Sequence, residues 1–131
     1  MQKYLFLWGC LSAALSVALG AFGAHGLKSV LSAEQLHTFE IGVRYQFYHS
    51  LGLLAAALAA DQLVASVWAS RAAYCFLGGI VCFSGSLYLL ASRQWIGIES
   101  WTWLGPITPL GGVLFIAGWL CLGYGAMTMA K

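Results

Sequence analysis

Four uncharged apolar runs constrain this chain more strongly than any other feature of its sequence. They cover residues 4–24, 45–60, 72–92 and 105–126. A helix of about 20 apolar residues crosses the roughly 30 Å hydrocarbon core of a bilayer. Each run is predicted to be helical, because an open strand would leave backbone hydrogen-bonding groups unsatisfied in lipid. The second run is short, but a helix that begins near residue 33 has the length to cross at a tilt.

The composition excludes an ordinary soluble domain. The 131 residues are 61% hydrophobic and only 8% charged, whereas about 25% charged residues is normal for a soluble domain. A net charge of +2 without a basic run does not favour nucleic acid as a partner. The sequence therefore predicts an all-α fold with one domain over residues 1–131. That domain is expected to be a four-helix transmembrane bundle whose helix 2 has an amphipathic N-terminal extension.

Small residues recur at helical spacing in the first, third and fourth predicted helices. In the first helix they are Gly9, Ala13, Ser16, Gly20 and Gly23, and in the fourth they are Gly111, Gly118 and Gly125. A face of small residues lets a neighbouring backbone approach closely in a membrane. These seams predict helix packing. Because they exceed what a compact monomer obviously needs, they also favour a homo-oligomer.

Local signals predict where several helices begin and end. Ser32 followed by Gln35 forms a capping box for helix 2. Gly26 suits a left-handed residue at the end of helix 1. Pro106 and Pro109 fit the first turn of helix 4, where backbone N–H groups lack helical partners.

The stretch from Ser32 to Leu63 holds most of the ionisable side chains that could lie at membrane depth. One helical stripe carries His37, Glu40, Arg44 and Tyr48. An arginine at the bilayer centre costs about 2.5–3.5 kcal/mol on insertion scales, so Arg44 should be paired or at the boundary, with Glu40 as its obvious partner. Two interpretations follow: an anion or lipid-headgroup site charged by Arg44, or an interfacial ion pair that anchors the tilt of helix 2.

His49 lies deeper, and Tyr45 is its partner one turn earlier on a different face from Arg44. A neutral imidazole could carry a proton or bind a metal, or it could simply hydrogen-bond to a neighbouring helix. A metal site made of His25, His37 and His49 is disfavoured by their helical angles and lacks a completing carboxylate or cysteine. No metal, cofactor or catalytic residue is predicted, since no nucleophile–base or paired-carboxylate spacing occurs. The four cysteines are interpreted as small buried hydrophobes.

Four crossings would bring most polar groups to one side of the membrane. The end of helix 1, the start of helix 2, the end of helix 3 with Arg93, and the start of helix 4 all emerge there. The start of helix 4 could add free N–H groups to a site for an anion. The candidate binding residues are His25, Glu40, Arg44, Tyr48, His49 and Thr108.

Four ordered motifs also carry a resemblance to a known family. They are GAFGAHGL at 20–27, YQFYHSL at 45–51, SGSLYLL at 84–90, and GPITPLGG at 105–112 followed by AGW at 117–119. The chain resembles domain-of-unknown-function family 423, small bacterial inner-membrane proteins related to the eukaryotic transmembrane protein 256. Ser50 stands where family members often have alanine. The resemblance implies a four-helix multi-pass protein of the inner membrane and supplies no activity.

These observations predict a non-enzymatic membrane binding or scaffold protein. Its polar site would take a lipid headgroup, an amphiphile or a partner helix, so membrane lipids and a second copy are the expected partners. The alternative is a proton- or ion-coupled small-solute transporter or channel that uses His49 and the Glu40–Arg44 pair. Four spans place both termini on one side with Lys3, Arg71 and Lys131. That side is predicted to be cytoplasmic if Arg44 lies in the membrane and is not counted with Lys28 and Arg93.

Overall fold

A computed structural model describes residues 1–129, and this part of the chain contains four long helices and no β-strand. They are α1 (Gln2–His25), α2 (Ala33–Ala59), α3 (Ser66–Ile96) and α4 (Leu104–Met127). A 3₁₀ turn at Leu27–Ser29 links α1 to α2. Inside α3, two α-helical parts, Ser66–Gly79 and Ser86–Ile96, flank a π-helical segment at Ile80–Gly85. The predicted all-α fold is confirmed.

The start of α2 follows the predicted capping box. The backbone N–H of Gln35 donates to the Ser32 hydroxyl at 3.2 Å, and the Ser32 N–H donates to the Gln35 side-chain oxygen at 2.8 Å. The start of α3 lies at Ser66 instead of residue 72, because the α2–α3 turn is tighter than expected. Asp61 adopts a left-handed φ of 64°, and its N–H donates to the Val64 carbonyl at 2.9 Å. Aspartate is one of the few residues that tolerates this conformation.

Two predicted helix-end roles are wrong. Gly26 is right-handed, with φ −73° and ψ −42°, because the chain continues from α1 into the 3₁₀ turn without reversing. The left-handed glycine is instead Gly97, with φ 75°, whose N–H donates to the Arg93 carbonyl at the end of α3. Pro109 lies in the second turn of α4. Since proline has no N–H, the Gly105 carbonyl loses its helical partner there.

The central pair of helices is α2 and α3. Helix α1 packs along α2, and α4 packs along α3. The small-residue seams fill these contacts: a Cβ added at Gly9 would lie 2.7 Å from Leu54, and one added at Gly118 would lie 2.5 Å from Phe76. The same seams continue through Gly20 and Gly23 against α2, and through Gly111 and Gly125 against α3 and the turn before it. Since they are occupied within the chain, they no longer argue for a second copy.

The exterior is apolar while the core is small. The main core cluster surrounds Phe76 and includes Leu53 and Phe115. Within residues 1–129, three segments are long and apolar enough to cross a membrane: Gln2–Ser29, Ser66–Ile96 and Leu104–Met127. Helix α2 has 27 residues but is not among them, because side chains such as Arg44, Gln46 and His49 lower its hydropathy. Lys131, one of the residues on which the predicted orientation depends, lies outside the described residues.

A pair of alanine substitutions in α4 tests the contact between α4 and α3. A Cβ added at Gly111 would meet the backbone nitrogen of Phe83, which cannot move without moving α3, whereas Gly123 has nothing within 4 Å. Overpacking typically costs about 1–3 kcal/mol, so Gly111→Ala should lower the free energy of unfolding by about that amount. Gly123→Ala should leave it unchanged or raise it slightly. Thermal unfolding in a mild detergent, followed by circular dichroism, measures both. Equal stability of the two variants would contradict the packing described here.

Candidate functional site

The six predicted binding residues do not form one cluster. Glu40, Arg44 and Tyr48 are exposed on one face of α2, His25 is exposed at the end of α1, Thr108 is half-buried near the start of α4, and His49 is buried. His25, Glu40 and Thr108 lie toward the end where α1 finishes and α4 begins, Arg44 lies about one turn deeper than Glu40, and Tyr48 lies at nearly the depth of His49, its neighbour in α2. His49 is near the middle, because its neighbour Ser50 contacts Ser12, halfway along α1. The structure therefore separates an exposed group from a buried one.

The exposed residues Glu40, Arg44 and Tyr48 lie with His37 on one face of α2, which we call the outer edge of α2. All four side chains are exposed, and the face points away from both α1 and α3. Within residues 1–129 no ion pair of 4.0 Å or less occurs, so the expected Glu40–Arg44 salt bridge is not formed. An exposed ion pair one helical turn apart stabilises a helix by only about 0.2–0.5 kcal/mol. That is too little to hold the Glu40 and Arg44 side chains together.

The buried His49 side chain is hydrogen-bonded through both ring nitrogens. Its Nδ1 lies 2.7 Å from the Tyr45 carbonyl oxygen, which can only accept, so Nδ1 carries the proton. Its Nε2 accepts from the Trp119 Nε1–H of α4 at 3.2 Å. The imidazole also stacks on Phe115, with the ring centroids 3.4 Å apart. A metal ion or an additional proton could bind at Nε2 only after the hydrogen bond to Trp119 is broken.

An aromatic groove of about 450 Å³ lies where α2, α3 and α4 meet, and His49 is among its lining residues. Its aromatic lining is Tyr45 of α2, Phe83 of α3, and Phe115 and Trp119 of α4. Within the described residues, no group of three His, Cys, Asp or Glu side chains is close enough to hold a metal ion. The groove therefore offers aromatic surface and few free polar groups.

Gln46 joins α2 to two other helices by hydrogen bonds and is not among the predicted site residues. Its Nε2 donates to the Ser12 carbonyl of α1 at 3.0 Å, and its Oε1 accepts from the Tyr88 hydroxyl of α3 at 2.7 Å. Ser50 adds a bond to the Ser12 hydroxyl at 2.7 Å. Gln46 is only 3% exposed. The signal in the sequence is a neutral polar side chain within the YQFYHSL motif, which is less conspicuous than the nearby Arg44 and His49.

The hydroxyl of Thr108 also has a partner within the chain. It lies 2.6 Å from the Ser86 hydroxyl, which in turn donates to the Phe83 carbonyl at 2.9 Å. Ser84, in the π-helical segment, is fully buried, and its hydroxyl has no hydrogen-bond partner among residues 1–129. Most buried polar groups thus hold helices together, whereas the outer edge of α2 and the adjacent helix ends carry exposed polar groups that can meet a ligand.

A double-mutant cycle on Gln46→Leu and Tyr88→Phe tests whether the Gln46 bridge stabilises the packing of α2 on α3. Hydrogen bonds between membrane helices contribute about 0.6 kcal/mol on average and up to about 1.7. Because the Gln46–Tyr88 bond is short, at 2.7 Å, and Gln46 is buried, we expect a coupling energy near the upper part of that range. Unfolding free energies of the two single variants and the double variant, measured in detergent, give this coupling. Strictly additive effects would contradict the bridge.

Comparisons with known proteins now identify the family. A family model described as "Protein of unknown function (DUF423)" matches residues 19–112. A protein of Bacillus subtilis called UPF0382 membrane protein YwdK is 44% identical over 92% of this chain and 94% of its own length. The UPF0382 inner membrane protein YgdD of Escherichia coli K12 is 34% identical over 99% of this chain and 94% of its own length.

A third relative, a UPF0382 membrane protein of Staphylococcus saprophyticus, is 46% identical over 95% of this chain and 97% of its own length. No solved structure matches the chain. The agreement of the family model with near full-length relatives confirms the resemblance drawn from the four motifs. The chain belongs to the DUF423 family, whose members among these relatives are named as UPF0382 membrane proteins and whose function is not known.

Proposed function

We propose that this protein is a non-enzymatic membrane protein that binds a phosphate-bearing lipid headgroup at the outer edge of α2, with Arg44 as the positive charge. The observation that carries the proposal is the exposed Arg44 on a face that no other helix of the described chain covers. Its surroundings are apolar, since Phe47, Tyr48 and Leu51 are exposed beside it. A guanidinium in such surroundings is stabilised by an anion, and it binds phosphate through paired hydrogen bonds.

The proposal includes a membrane crossing by α2. Helix α2 runs antiparallel along α1 from the contact of Phe39 with Gly23 to the contact of Leu54 with Gly9. At 1.5 Å per residue, the stretch from Gly9 to Gly23 is about 21 Å long, so a membrane that contains α1 also contains most of α2. The polar side chains of α2 can enter because Gln46 and His49 are hydrogen-bonded to other helices.

Four crossings place both termini on one side, and we assign that side to the cytoplasm. The printed name of the Escherichia coli relative, an inner membrane protein, supports the inner membrane of a bacterium as the location. The outer edge of α2 would then face the opposite leaflet, together with the end of α1 and the start of α4.

The depth of Arg44 suits a phosphate group. Its neighbour Val43 packs against Gly20, which lies five residues before the His25 end of α1. That separation is about 7.5 Å along the helix. Long basic side chains reach from such a depth to the interface while their stems stay in apolar surroundings. The phosphates of the surrounding lipids are therefore the anions within its reach.

Native mass spectrometry of the protein released from a mild detergent tests this site. The protein as purified, and then mixed with phosphatidylglycerol, should retain bound anionic lipid, and Arg44→Gln should weaken that retention by about tenfold, as loss of a charge-assisted phosphate contact implies. Arg71→Gln is the matched control, because Arg71 stacks over Trp68, 4.5 Å from the ring centroid, near the turn between α2 and α3.

Lipid retention that is unchanged by Arg44→Gln would contradict the proposal. A wild-type dimer that Arg44→Gln converts to a monomer would instead identify a second copy of the chain as the occupant of this edge.

The transport alternative is favoured by one observation, the presence of the polar side chains Gln46 and His49 near the middle of α2. Transport through His49 would require its bonds to Tyr45 and Trp119 to break and reform. Reconstituted in proteoliposomes, the wild-type protein should show no flux driven by a pH gradient. Such a flux, if abolished by His49→Ala, would overturn the binding proposal in favour of a carrier.

A further inference from the structure

A polar cleft of about 390 Å³ lies where the start of α2 meets the end of α3. Its polar lining includes Glu34, Gln35 and Thr38 from α2 and Arg93 and Gln94 from α3. None of these residues belongs to the outer edge of α2. The cleft is therefore distinct from the Arg44 site, although both are at the same end of the molecule.

A hydrogen-bonded bridge joins the two helices that line this cleft. Gln35 is held by the capping box, because its side-chain oxygen accepts from the Ser32 N–H at 2.8 Å. Its Nε2 donates to the side-chain oxygen of Gln94 at 3.0 Å. Since the Gln94 oxygen is occupied in this way, the Gln94 amide presents its N–H groups as donors. The bridge thus positions one donor beside Arg93 on α3.

The cleft carries one charge of each sign on different helices. Arg93, in the last turn of α3, supplies a cation next to the Gln94 donors, and Glu34, in the first turn of α2, supplies an anion. The two do not form a salt bridge within 4.0 Å, so both charges remain available. The Thr38 hydroxyl does not compete, because it donates to the Glu34 carbonyl at 3.1 Å.

The surroundings place the cleft at the level of lipid headgroups. Three tryptophans that follow Arg93 in the chain are exposed: Trp95 at 55%, Trp101 at 43% and Trp103 at 54%. Tryptophan is enriched where a membrane protein meets the headgroup region, because its ring is apolar and its N–H is polar. The end of α3 and the loop after it have this character, so a molecule in the cleft would lie among headgroups.

We infer that this cleft binds the phosphoethanolamine group, with the ammonium on Glu34 and the phosphate on Arg93 and Gln94. A zwitterion matches two opposite charges held apart on two helices. The phosphatidylglycerol headgroup offers the Glu34 carboxylate only neutral hydroxyl donors and no cation. A trimethylated ammonium, as in phosphatidylcholine, has no N–H to donate to that carboxylate. The site is independent of Arg44, so it can exist whether or not the outer edge of α2 binds lipid.

Native mass spectrometry with three lipids of the same acyl chains tests the inference. Delipidated protein is titrated with phosphatidylethanolamine, phosphatidylcholine and phosphatidylglycerol, each alone. The wild-type protein should bind phosphatidylethanolamine more tightly than the other two, by about tenfold, as the loss of one charge-assisted contact implies. Glu34→Gln should remove this preference, whereas Arg93→Gln should weaken binding of phosphatidylethanolamine itself.

Matched controls come from charges at the same end that do not line the cleft. Glu99→Gln and Lys28→Gln, both at exposed positions, should behave as the wild type, and a circular dichroism melt confirms that every variant is folded. The Arg44→Gln variant should keep the preference for phosphatidylethanolamine, which separates this inference from the proposed function.

Free phosphoethanolamine distinguishes the two sources of the ligand chemistry. Displacement of bound lipid by free phosphoethanolamine, but not by free phosphocholine, shows that the headgroup alone is recognised. Tight lipid binding without displacement shows that the lipid-borne group is the ligand. Equal binding of all three lipids by the wild type, or an unchanged preference in folded Glu34→Gln, would overturn the inference.

Discussion

Hydrogen bonds from the middle of α2 to the other three helices are the interaction on which the rest of the structure depends. Gln46 joins α2 to the Ser12 carbonyl of α1 and to the Tyr88 hydroxyl of α3, and His49 joins it to Trp119 of α4. In lipid, helices gain nothing by burying apolar surface from one another, so close packing and interhelical hydrogen bonds decide how they associate. The least apolar helix is thereby the one that holds the other three.

Glycine seams make those hydrogen bonds geometrically possible. They let α1 lie close to α2 and α4 lie close to α3, at contacts such as Gly9 with Leu54 and Gly118 with Phe76. The π-helical segment of α3 lies between the two seams and presents Phe83 toward Gly111 of α4. Such segments are uncommon and often occur at functional sites. In this chain the segment contains the buried Ser84 and contributes Phe83 to the lining of the His49 groove.

The sequence predicted helices well because membrane length and backbone satisfaction leave few alternatives. It also predicted the Ser32–Gln35 capping box, a purely local device. It could not predict that His49 would meet Trp119, since that contact depends on how α4 packs and joins residues far apart in the chain. For the same reason small residues such as Gly9 and Gly118 suggest contacts with a second copy when only the sequence is read, although Leu54 and Phe76 of the same chain cover them. Which glycine adopts the left-handed conformation depends on the path of the chain after each helix. The chain continues into a 3₁₀ turn after Gly26, whereas the helix ends at Gly97.

The positions of charged residues in the sequence predicted the exposed surface better than the interior contacts. The stripe with Glu40 and Arg44 is exposed as one edge of α2, but a sequence cannot show whether two such side chains pair with each other or with a ligand. The cleft between Glu34 and Arg93 could not be predicted from the sequence for a related reason: its lining residues come from two helices that are far apart in the chain. Both surfaces acquire a function only if α2 crosses the membrane and carries them to one leaflet.

Side-specific labelling of single cysteines tests that crossing most directly. Cys10, Cys75, Cys82 and Cys121 are first replaced by alanine, and single cysteines are introduced as Ser29→Cys, Gln62→Cys and Ser100→Cys. A membrane-impermeant maleimide is then applied to intact cells and to inverted membrane vesicles. The account predicts that positions 29 and 100 react from one side and position 62 only from the other. Labelling of positions 29 and 62 from the same side would show that α2 does not cross, and it would contradict the account.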